Sequence, residues 1–349
     1  MLNRFSHYFF NKFRENETEI HELNYLFWEC TQRCNLNCKH CGSDCSADSK
    51  LPDMPFEDFL NAILPLNKLY PRDSITVVIT GGEPLLRNDL AECGKALRKN
   101  GFRWGIVSNG LAYNSEIHSK LLSAGMGAIT ISLDGLEDSH NWLRHNSKSF
   151  DGAIKAISLI ASSARLSYDV VSCINLKNLH ELPRLQELLI SLGVKAWRLF
   201  TIAPIGRARG NQDLQLSREQ QLQLMDFIVE SRHDKRMEIQ FSCEAYVGPY
   251  EKKVRDSYFF CRAGINIGSI LIDGSISACP NINRQFVQGN IYTDSFSEVW
   301  MKKFKIMRNR RWAKTGVCEK CNDYLDCNGG AMHLRDENLN YIGPCCITS

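Results

Sequence analysis

The chain has 349 residues, 44% of them hydrophobic, a formal net charge of +3 and fifteen cysteines. That length suits one large α/β domain or two unequal ones, while so small a charge without a basic stripe excludes nucleic acid as a partner. No signal-peptide pattern precedes the cysteines and no run approaches the ~20 apolar residues of a membrane span, so a reducing cytoplasm and metal chemistry are expected rather than disulfides.

Residues 1–24 read as a short amphipathic helix with Phe5, Tyr8, Phe9 and Phe13 on one side, expected to pack on the body of the protein. A membrane-surface or partner helix is the alternative. Tyr25–Trp28 is a first strand, and it runs into Cys34-Asn-Leu-Asn-Cys38-Lys-His40-Cys41, a C-x3-C-x2-C spacing. Three clustered thiols can hold three corners of a 4Fe–4S cube and leave the fourth iron open to a chelating substrate. A structural zinc site is the plain alternative, its fourth ligand drawn from His40, Cys30 or Cys45. Cys30, inside the strand, and Cys45, beyond the loop, are read as non-ligands.

From there helices and apolar strands alternate. Helices are predicted at about Pro55–Leu69, Asn88–Asn100, Ser115–Ala124, Asp151–Ser163 and Leu179–Leu192, several stopped by glycine. The strands between them are Ile75–Ile79, Trp104–Val107, Ala128–Leu133, Asp169–Ile174 and Ala196–Ile202. Near-continuous apolar strands between helices signal a parallel sheet covered on both faces. Six such units make an α/β protein with a partial (β/α)6, TIM-like barrel. A doubly wound sheet would carry a Gly-rich dinucleotide loop, and Gly125-Met126-Gly127 precedes a strand instead of opening a helix.

Barrel chemistry gathers at the C-terminal strand ends. There stand Thr80-Gly81-Gly82-Glu83-Pro84, Ser108-Asn109-Gly110 and Ser132-Leu133-Asp134-Gly135. Gly81 and Gly82 would let a ligand approach bare backbone, and Glu83 can accept from an ammonium group. Ser108, Asn109 and Ser132 suit ribose hydroxyls and a carboxylate; ordinary turn chemistry is the alternative for each segment. Arg144, in the loop after the fourth strand, is a candidate partner for a carboxylate. The stretch Ile202–Arg207 is expected to close over the site.

After a helix at Ser217–Arg232 and a strand-like Met237–Phe241, the chain becomes loop-rich and holds most remaining cysteines. Cys261 and Cys279 flank a hairpin signal at Asp273-Gly274. Then come Cys318-x2-Cys321-x5-Cys327 and the pair Cys345-Cys346. A zinc-ribbon-like site built from Cys318, Cys321, Cys327 and Cys345 is the alternative to clusters here.

The Cys34/Cys38/Cys41 loop and the Gly-Gly-Glu-Pro segment resemble the radical S-adenosylmethionine (radical SAM) enzymes. The pattern Cys261-x12-Gly274-x4-Cys279 with the cysteines after it resembles their C-terminal SPASM extension. The resemblance implies units at 1–24 (helix), 25–235 (radical SAM partial barrel) and 236–349 (SPASM domain). It implies that Cys34, Cys38 and Cys41 hold a 4Fe–4S cluster whose open iron binds S-adenosylmethionine, which a reduced cluster cleaves to a 5′-deoxyadenosyl radical. His40, Gly81, Gly82, Glu83, Ser108, Asn109, Ser132 and Arg144 would then contact the S-adenosylmethionine.

Up to two auxiliary 4Fe–4S clusters are also implied. One would draw on Cys318, Cys321, Cys327 and Cys345, favoured over Cys346 because Pro344 fixes the chain before it. The other would draw on Cys261, Cys279 and Cys243, with His333 as a further candidate. Ala331 stands where the family has another cysteine, and Pro280 where sulfatase-maturing relatives have an aspartate base. The implied activity is modification of a peptide or small protein, with flavodoxin or ferredoxin as reductant. Phe27-Trp28-Glu29-Cys30 and Cys41-Gly-Ser-Asp-Cys45 resemble a subgroup paired with a small lipoprotein. A small-molecule substrate such as a tetrapyrrole or sugar, or a non-catalytic zinc protein, are the rivals. The 24 residues before Tyr25 are too few for the precursor-recognition module of some relatives, so a leader is expected to bind elsewhere.

Overall fold

Short β-branched runs set the frame, because such side chains pack well on a pleated surface buried on both faces. In the structure, a computed structural model describing residues 2–242 and 244–343, helix α1 (Leu2–Ile20) precedes strand β1 (Tyr25–Glu29). Then follow α2 (Phe56–Ile63), β2 (Thr76–Thr80), α3 (Leu90–Lys99), β3 (Arg103–Ser108), α4 (Ser115–Ser123) and β4 (Ala128–Ser132). The alternation continues through α5 (Glu137–Arg144), α6 (Ser149–Ala161), β5 (Ser167–Ile174), α7 (Leu182–Ser191), β6 (Ala196–Thr201) and α8 (Arg218–Ser231). Four more strands complete the sheet: β7 (Glu238–Phe241), β8 (Ile267–Ile270), β9 (Ser275–Ser277) and β10 (Gly289–Asn290).

The sheet order is β10-β9-β8-β1-β2-β3-β4-β5-β6-β7, parallel from β8 through β7. The six expected β/α units are present and their sheet is open, a partial barrel. It extends beyond six strands at both sides. β7 pairs with β6, and β8 pairs with β1 in register Tyr25↔Ile267 to Trp28↔Ile270. The hairpin expected around Asp273-Gly274 is β8–β9, antiparallel, with Gly274 at φ +81. One sheet therefore runs through residues on both sides of position 235.

Two expectations are corrected. The side chain of Phe5 lies outside the described ones, and α1 does not dock by the rest of its expected aromatic stripe: Tyr8, Phe9 and Phe13 are exposed. It docks by His7, Phe10 and Arg14, one helical face. His7 and Phe10 pack against Tyr258 (ring centroids 4.1 and 5.3 Å apart), and Arg14 donates to the carbonyls of Asp326 and Leu325. Those partners lie over 240 residues away, so hydropathy alone could not choose this face. Arg144 is not in a loop but in the last turn of α5, a short helix too polar to show an apolar period. Among the described residues no helix is long and apolar enough to cross a membrane.

The core centres on Trp28, which is fully buried and stacks on Phe59 at 4.5 Å with a 13° interplanar angle. Its indole N–H points at Met54 Sδ (3.2 Å), and the Arg87 guanidinium lies 5.0 Å from the ring centroid. Trp28→Ala is expected to lose about 3–5 kcal/mol, the usual cost of emptying a core aromatic site. Denaturant unfolding of the purified protein checks this, and a loss below about 1 kcal/mol would contradict it.

Candidate active site

The loop after β1 contains neither helix nor strand, so its shape comes from what it is tied to. The Cys30 N–H donates to Thr80 O (2.9 Å), continuing the β1–β2 ladder past its end. Gly82 N–H then donates to Thr31 O at 2.7 Å and Glu83 N–H to Arg33 O at 2.9 Å. A Cβ on Gly81 or Gly82 would sit 2.2 Å from Thr31 O or 2.1 Å from Arg33 O. These glycines are therefore needed for close approach of the cysteine loop itself. Arg33 clamps Asp53 with two hydrogen bonds (3.1 and 2.6 Å). From the far side Arg207, after β6, reaches three loop carbonyls: Nε to Cys38 (2.7 Å), Nη1 to Cys45 (3.0 Å) and its own N–H to Cys41 (3.0 Å).

The loop borders a cavity of about 370 Å³ at the C-terminal ends of the parallel strands. Cys34, Cys38, His40, Cys41, Gly81, Gly82, Ser108, Asn109, Ser132 and Arg144 all line it. Glu83 does not. It is 1% exposed, and its carboxylate accepts from Ser108 Oγ (2.9 Å), Asn109 N–H (2.9 Å) and Leu85 N–H (3.2 Å). Burial pushes its pKa up, and the three donors oppose that rise. Glu83 thus braces the tips of β2 and β3 from beneath. Asn109 passes the tie on, its Nδ2 donating to Asn35 Oδ1 at 2.8 Å and lying 3.9 Å from Cys34 Sγ.

A second network sits under Cys38. Arg144 Nε donates to Asp134 Oδ2 (2.6 Å), and Nη1 lies 3.8 Å from Cys38 Sγ. Burial alone would raise the Asp134 pKa, but the Arg144 guanidinium outweighs it and holds the carboxyl down at about 2. Asp134 Oδ1 also accepts from Cys173 N–H (3.0 Å). His140 Nδ1 accepts from Asp134 N–H (3.0 Å), so its other nitrogen carries the proton toward Ser149 Oγ (3.0 Å). Burial lowers His140 to about 4, keeping it neutral.

The donor set fits an iron–sulfur cluster with a small polar ligand. Burial pushes the Cys34 thiol up to about 12 and raises Cys38 too, so a bound cation is what would keep them ionised. Among the described residues, one trio of candidate ligand atoms lies within 4.8 Å of one another: His40, Asp134 and Cys173. Its carboxylate is already taken by Arg144 and the Cys173 amide. Cys34, Cys38 and Cys41 do not all lie within that distance of one another. A single zinc ion would need sulfurs about 3.8 Å apart, given its 2.3 Å bonds and tetrahedral angle. His40 Nδ1 is buried with no hydrogen-bond partner, which a bound ligand can supply.

Sequence reasoning missed Thr201 and Glu244. Both line the cavity, and Glu244 accepts from Thr201 N–H (2.6 Å) and Oγ1 (2.7 Å). Burial raises Glu244 to about 7. The strand-tip rule would have flagged Thr201; Glu244 follows β7, whose place in the barrel only pairing reveals. In the C-terminal third, Cys261 and Cys318 are buried, and Cys279 lines the cavity together with His333. Ala331 is fully buried. Buried Arg310 donates to Cys261 O (2.8 Å) and Gly330 O (3.4 Å), joining the two cysteine segments. Cys243, Pro344, Cys345 and Cys346 lie outside the described residues.

The family profile described as "Radical SAM superfamily" matches residues 28–189, and "SPASM: Iron-sulfur cluster-binding domain" matches 261–322. The chain carries a radical SAM domain. It carries a C-terminal SPASM domain, and its cofactors are S-adenosylmethionine, a 4Fe–4S cluster and the auxiliary clusters of that domain. This radical SAM enzyme is 24% identical to the AdoMet-dependent heme synthase of Nitratidesulfovibrio vulgaris, over 93% of each chain. It is 27% identical to the mycofactocin maturase MftC of Mycobacterium tuberculosis, over 88% of this chain and 78% of that one. Its fold is similar to Streptococcus suis SuiB bound to precursor peptide SuiA, with a TM-score of 0.69, 16% identity, and 90% and 74% of the two chains covered.

Glu83→Ala strands three donors in a buried place, at ~1–3 kcal/mol for an unpaired group. The variant is expected to lose about 2–5 kcal/mol of stability and to bind S-adenosylmethionine more weakly as Ser108 and Asn109 shift. Thermal unfolding and calorimetric binding measure the two effects. Wild-type stability with weakened binding would mean that Glu83 meets the ligand directly.

Proposed function

We propose that this radical SAM enzyme modifies a peptide or small protein. Cys34, Cys38 and Cys41 are the thiolate ligands of the cluster, and the cavity they border holds S-adenosylmethionine. When bound, the reduced cluster and S-adenosylmethionine supply a 5′-deoxyadenosyl radical that abstracts hydrogen from the substrate. The chain's own residues orient and enclose. Ser108, Asn109, Ser132 and Arg144 offer hydroxyl, amide and guanidinium groups to the polar ends of S-adenosylmethionine, and His40 offers its unpaired nitrogen. Gly81 and Gly82 keep the loop against β2, and Glu83 acts through Ser108 and Asn109.

The unit 236–349 holds the auxiliary clusters. Cys318, Cys321, Cys327 and Cys345 give one a full set of thiolates; Cys261, Cys279 and Cys243 give the other three. Flavodoxin or ferredoxin fits the role of reductant, and a small lipoprotein remains a candidate partner.

The observation that favours a peptide is the charge state of the groove beside the cavity. A second cavity of about 310 Å³ shares Gly42, Ser43, Ile205, Asn281 and His333 with the first. Two of its three arginines are ion-paired, while Arg335 has carbonyl acceptors and a buried Nε with no partner among the described residues. Arg284 pairs with Asp273 (2.9 Å), Arg209 with Glu337 (3.6 Å), and Arg335 donates to the carbonyls of Gly329 (2.6 Å) and Leu339 (2.9 Å). A tetrapyrrole bearing several carboxylates calls for several unpaired cations, whereas a lining that sets Glu29, Asp44 and Asp336 beside these arginines suits a peptide backbone. The similarity to the maturase MftC and to SuiB, which binds precursor peptide SuiA, points the same way; that to the heme synthase supports the small-molecule reading. Mass spectrometry of short proteins encoded beside this one, co-expressed with it, tests the choice. A mass change that requires Cys34 supports the peptide reading. Conversion of an added porphyrin with no peptide modified would replace it.

Replacing Cys34, Cys38 or Cys41 with Ala is expected to abolish 5′-deoxyadenosine formation, whereas Cys30→Ala, whose thiol lies in the main core, should retain it. Chromatography of the product decides, and loss in Cys30→Ala with retention in Cys34→Ala would reverse the ligand set. The variant lacking all three loop thiols should keep about eight irons per chain, four for each auxiliary cube. About four irons would mean a single auxiliary cluster.

A further inference from the structure

The sheet face that borders the cluster cavity has a second mouth. Alternate residues of a strand share a face, so Thr76, Ala128 and Ser167 lie on the same side as Thr80, Ser132 and Cys173. The latter three border the cavity at the C-terminal strand ends. The former three border a cavity of about 770 Å³ at the N-terminal ends. Strand β2 alone sets the two mouths roughly 13 Å apart, at ~3.3 Å per residue. None of the cluster-loop cysteines lines the lower one.

The charge of this lower mouth is one-sided. Arg98 from α3, Arg103 at the start of β3 and Arg165 just before β5 line it, and among the described residues no carboxylate does. Arg98 is committed, its Nη1 donating to Asp73 Oδ1 at 2.6 Å. Gly125, at φ +85, makes room for it, since a Cβ there would stand 2.7 Å from Arg98 Cγ. Among the described residues Arg103 reaches only the Ser74 carbonyl, at 3.4 Å, and Arg165 meets no acceptor. Asp169, further along β5 on the same face, is held by Thr130 Oγ1 (2.6 Å) and Arg198. Two guanidiniums therefore stand uncommitted beside the hydroxyls of Thr76 and Ser167. In the groove next to the cluster cavity, by contrast, Arg284 and Arg209 are ion-paired. Tyr25, the register partner of Thr76, is 48% exposed, and Leu122 and Met126 extend an apolar flank from it.

We propose that this cavity is a binding site for a small amphipathic anion. Arg103 and Arg165 hold its phosphate or carboxylate group, and its apolar body lies against Tyr25, Leu122 and Met126. The volume is that of a small-molecule site, and a guanidinium fork matches either oxyanion. Chemistry in a parallel barrel sits at the opposite strand ends, so this ligand is not the substrate of the radical reaction. The test is calorimetric titration of the full-length holoenzyme with phenyl phosphate and with phthalate, benzyl alcohol serving as the uncharged control. At least one anion should bind with one-to-one stoichiometry. Arg165→Gln should weaken it about tenfold, the loss of one charge-assisted hydrogen bond, and adding Arg103→Gln should weaken it further. Arg284→Gln, in the other groove, should leave it unchanged. Tighter binding of phenyl phosphate would make the natural ligand a phosphorylated molecule, and tighter binding of phthalate a carboxylic acid. The inference is overturned by absence of heat with both anions, by equal heat from benzyl alcohol, or by anion binding that survives in the double variant. Weakening by Arg284→Gln instead would move the anion to the groove and overturn it too. Should the double variant unfold, Arg165→Gln decides alone, because its exposed side chain has no acceptor to lose. The readout involves no cleavage of S-adenosylmethionine, so it stands or falls apart from the proposed peptide modification.

Discussion

Cys34 and Cys38, buried, and Cys41, half-buried, are set by a loop that has no regular structure of its own, so its shape must come from its neighbours. Everything near the barrel mouth answers to that constraint. The β1–β2 ladder is prolonged past Glu29 and Thr80, and it can be prolonged only because Gly81 and Gly82 leave room for the carbonyls of Thr31 and Arg33. Asp53 holds Arg33 on one flank, and Arg207 holds three carbonyls on the other. A rigid loop spares the bound state the ordering entropy that a mobile one would cost.

The same region concentrates buried charge. An ion pair such as Asp134–Arg144, with side chains 1% and 10% exposed, carries a desolvation penalty that rivals its attraction. Its value here is geometric. Asp134 is tied to the Cys173 amide and Arg144 to Asp134, which leaves the guanidinium aimed at Cys38 and the cavity. Glu83 works the same way at the opposite wall, where three donors orient a carboxylate that never reaches the cavity. Glu244 differs, since its carboxylate borders the cavity itself.

The open sheet ties the C-terminal cysteines to this chemistry. Because β8 pairs with β1, the hairpin that leads to Cys279 starts beside the strand that leads into the Cys34–Cys41 loop. Glu29 closes the seam by accepting from Ile272 N–H at 3.0 Å. Cys279 and His333 are thereby brought to the wall of the same cavity as Cys34, Cys38 and Cys41.

What the sequence determined by itself is local chemistry with a fixed spacing. The thiols of Cys34, Cys38 and Cys41, the glycines before Glu83, the polar strand tips and the hairpin at Gly274 are set by neighbours a few residues away. Apolar strands between helices carried the barrel for the same reason, since strand and helix periods are short-range signals. Tertiary structure alone decided that Glu83 faces inward, because its three donors come partly from β3. It also decided that α1 docks by His7, Phe10 and Arg14, that β7 and β8 widen the sheet, and that Glu244 reaches the cavity. Arg207 grips a loop some 165 residues earlier in the chain, and Cys45 turns back onto Cys41 because that grip holds its carbonyl. Such contacts depend on which distant segments meet, and neither residue type nor periodicity encodes that one segment at a time.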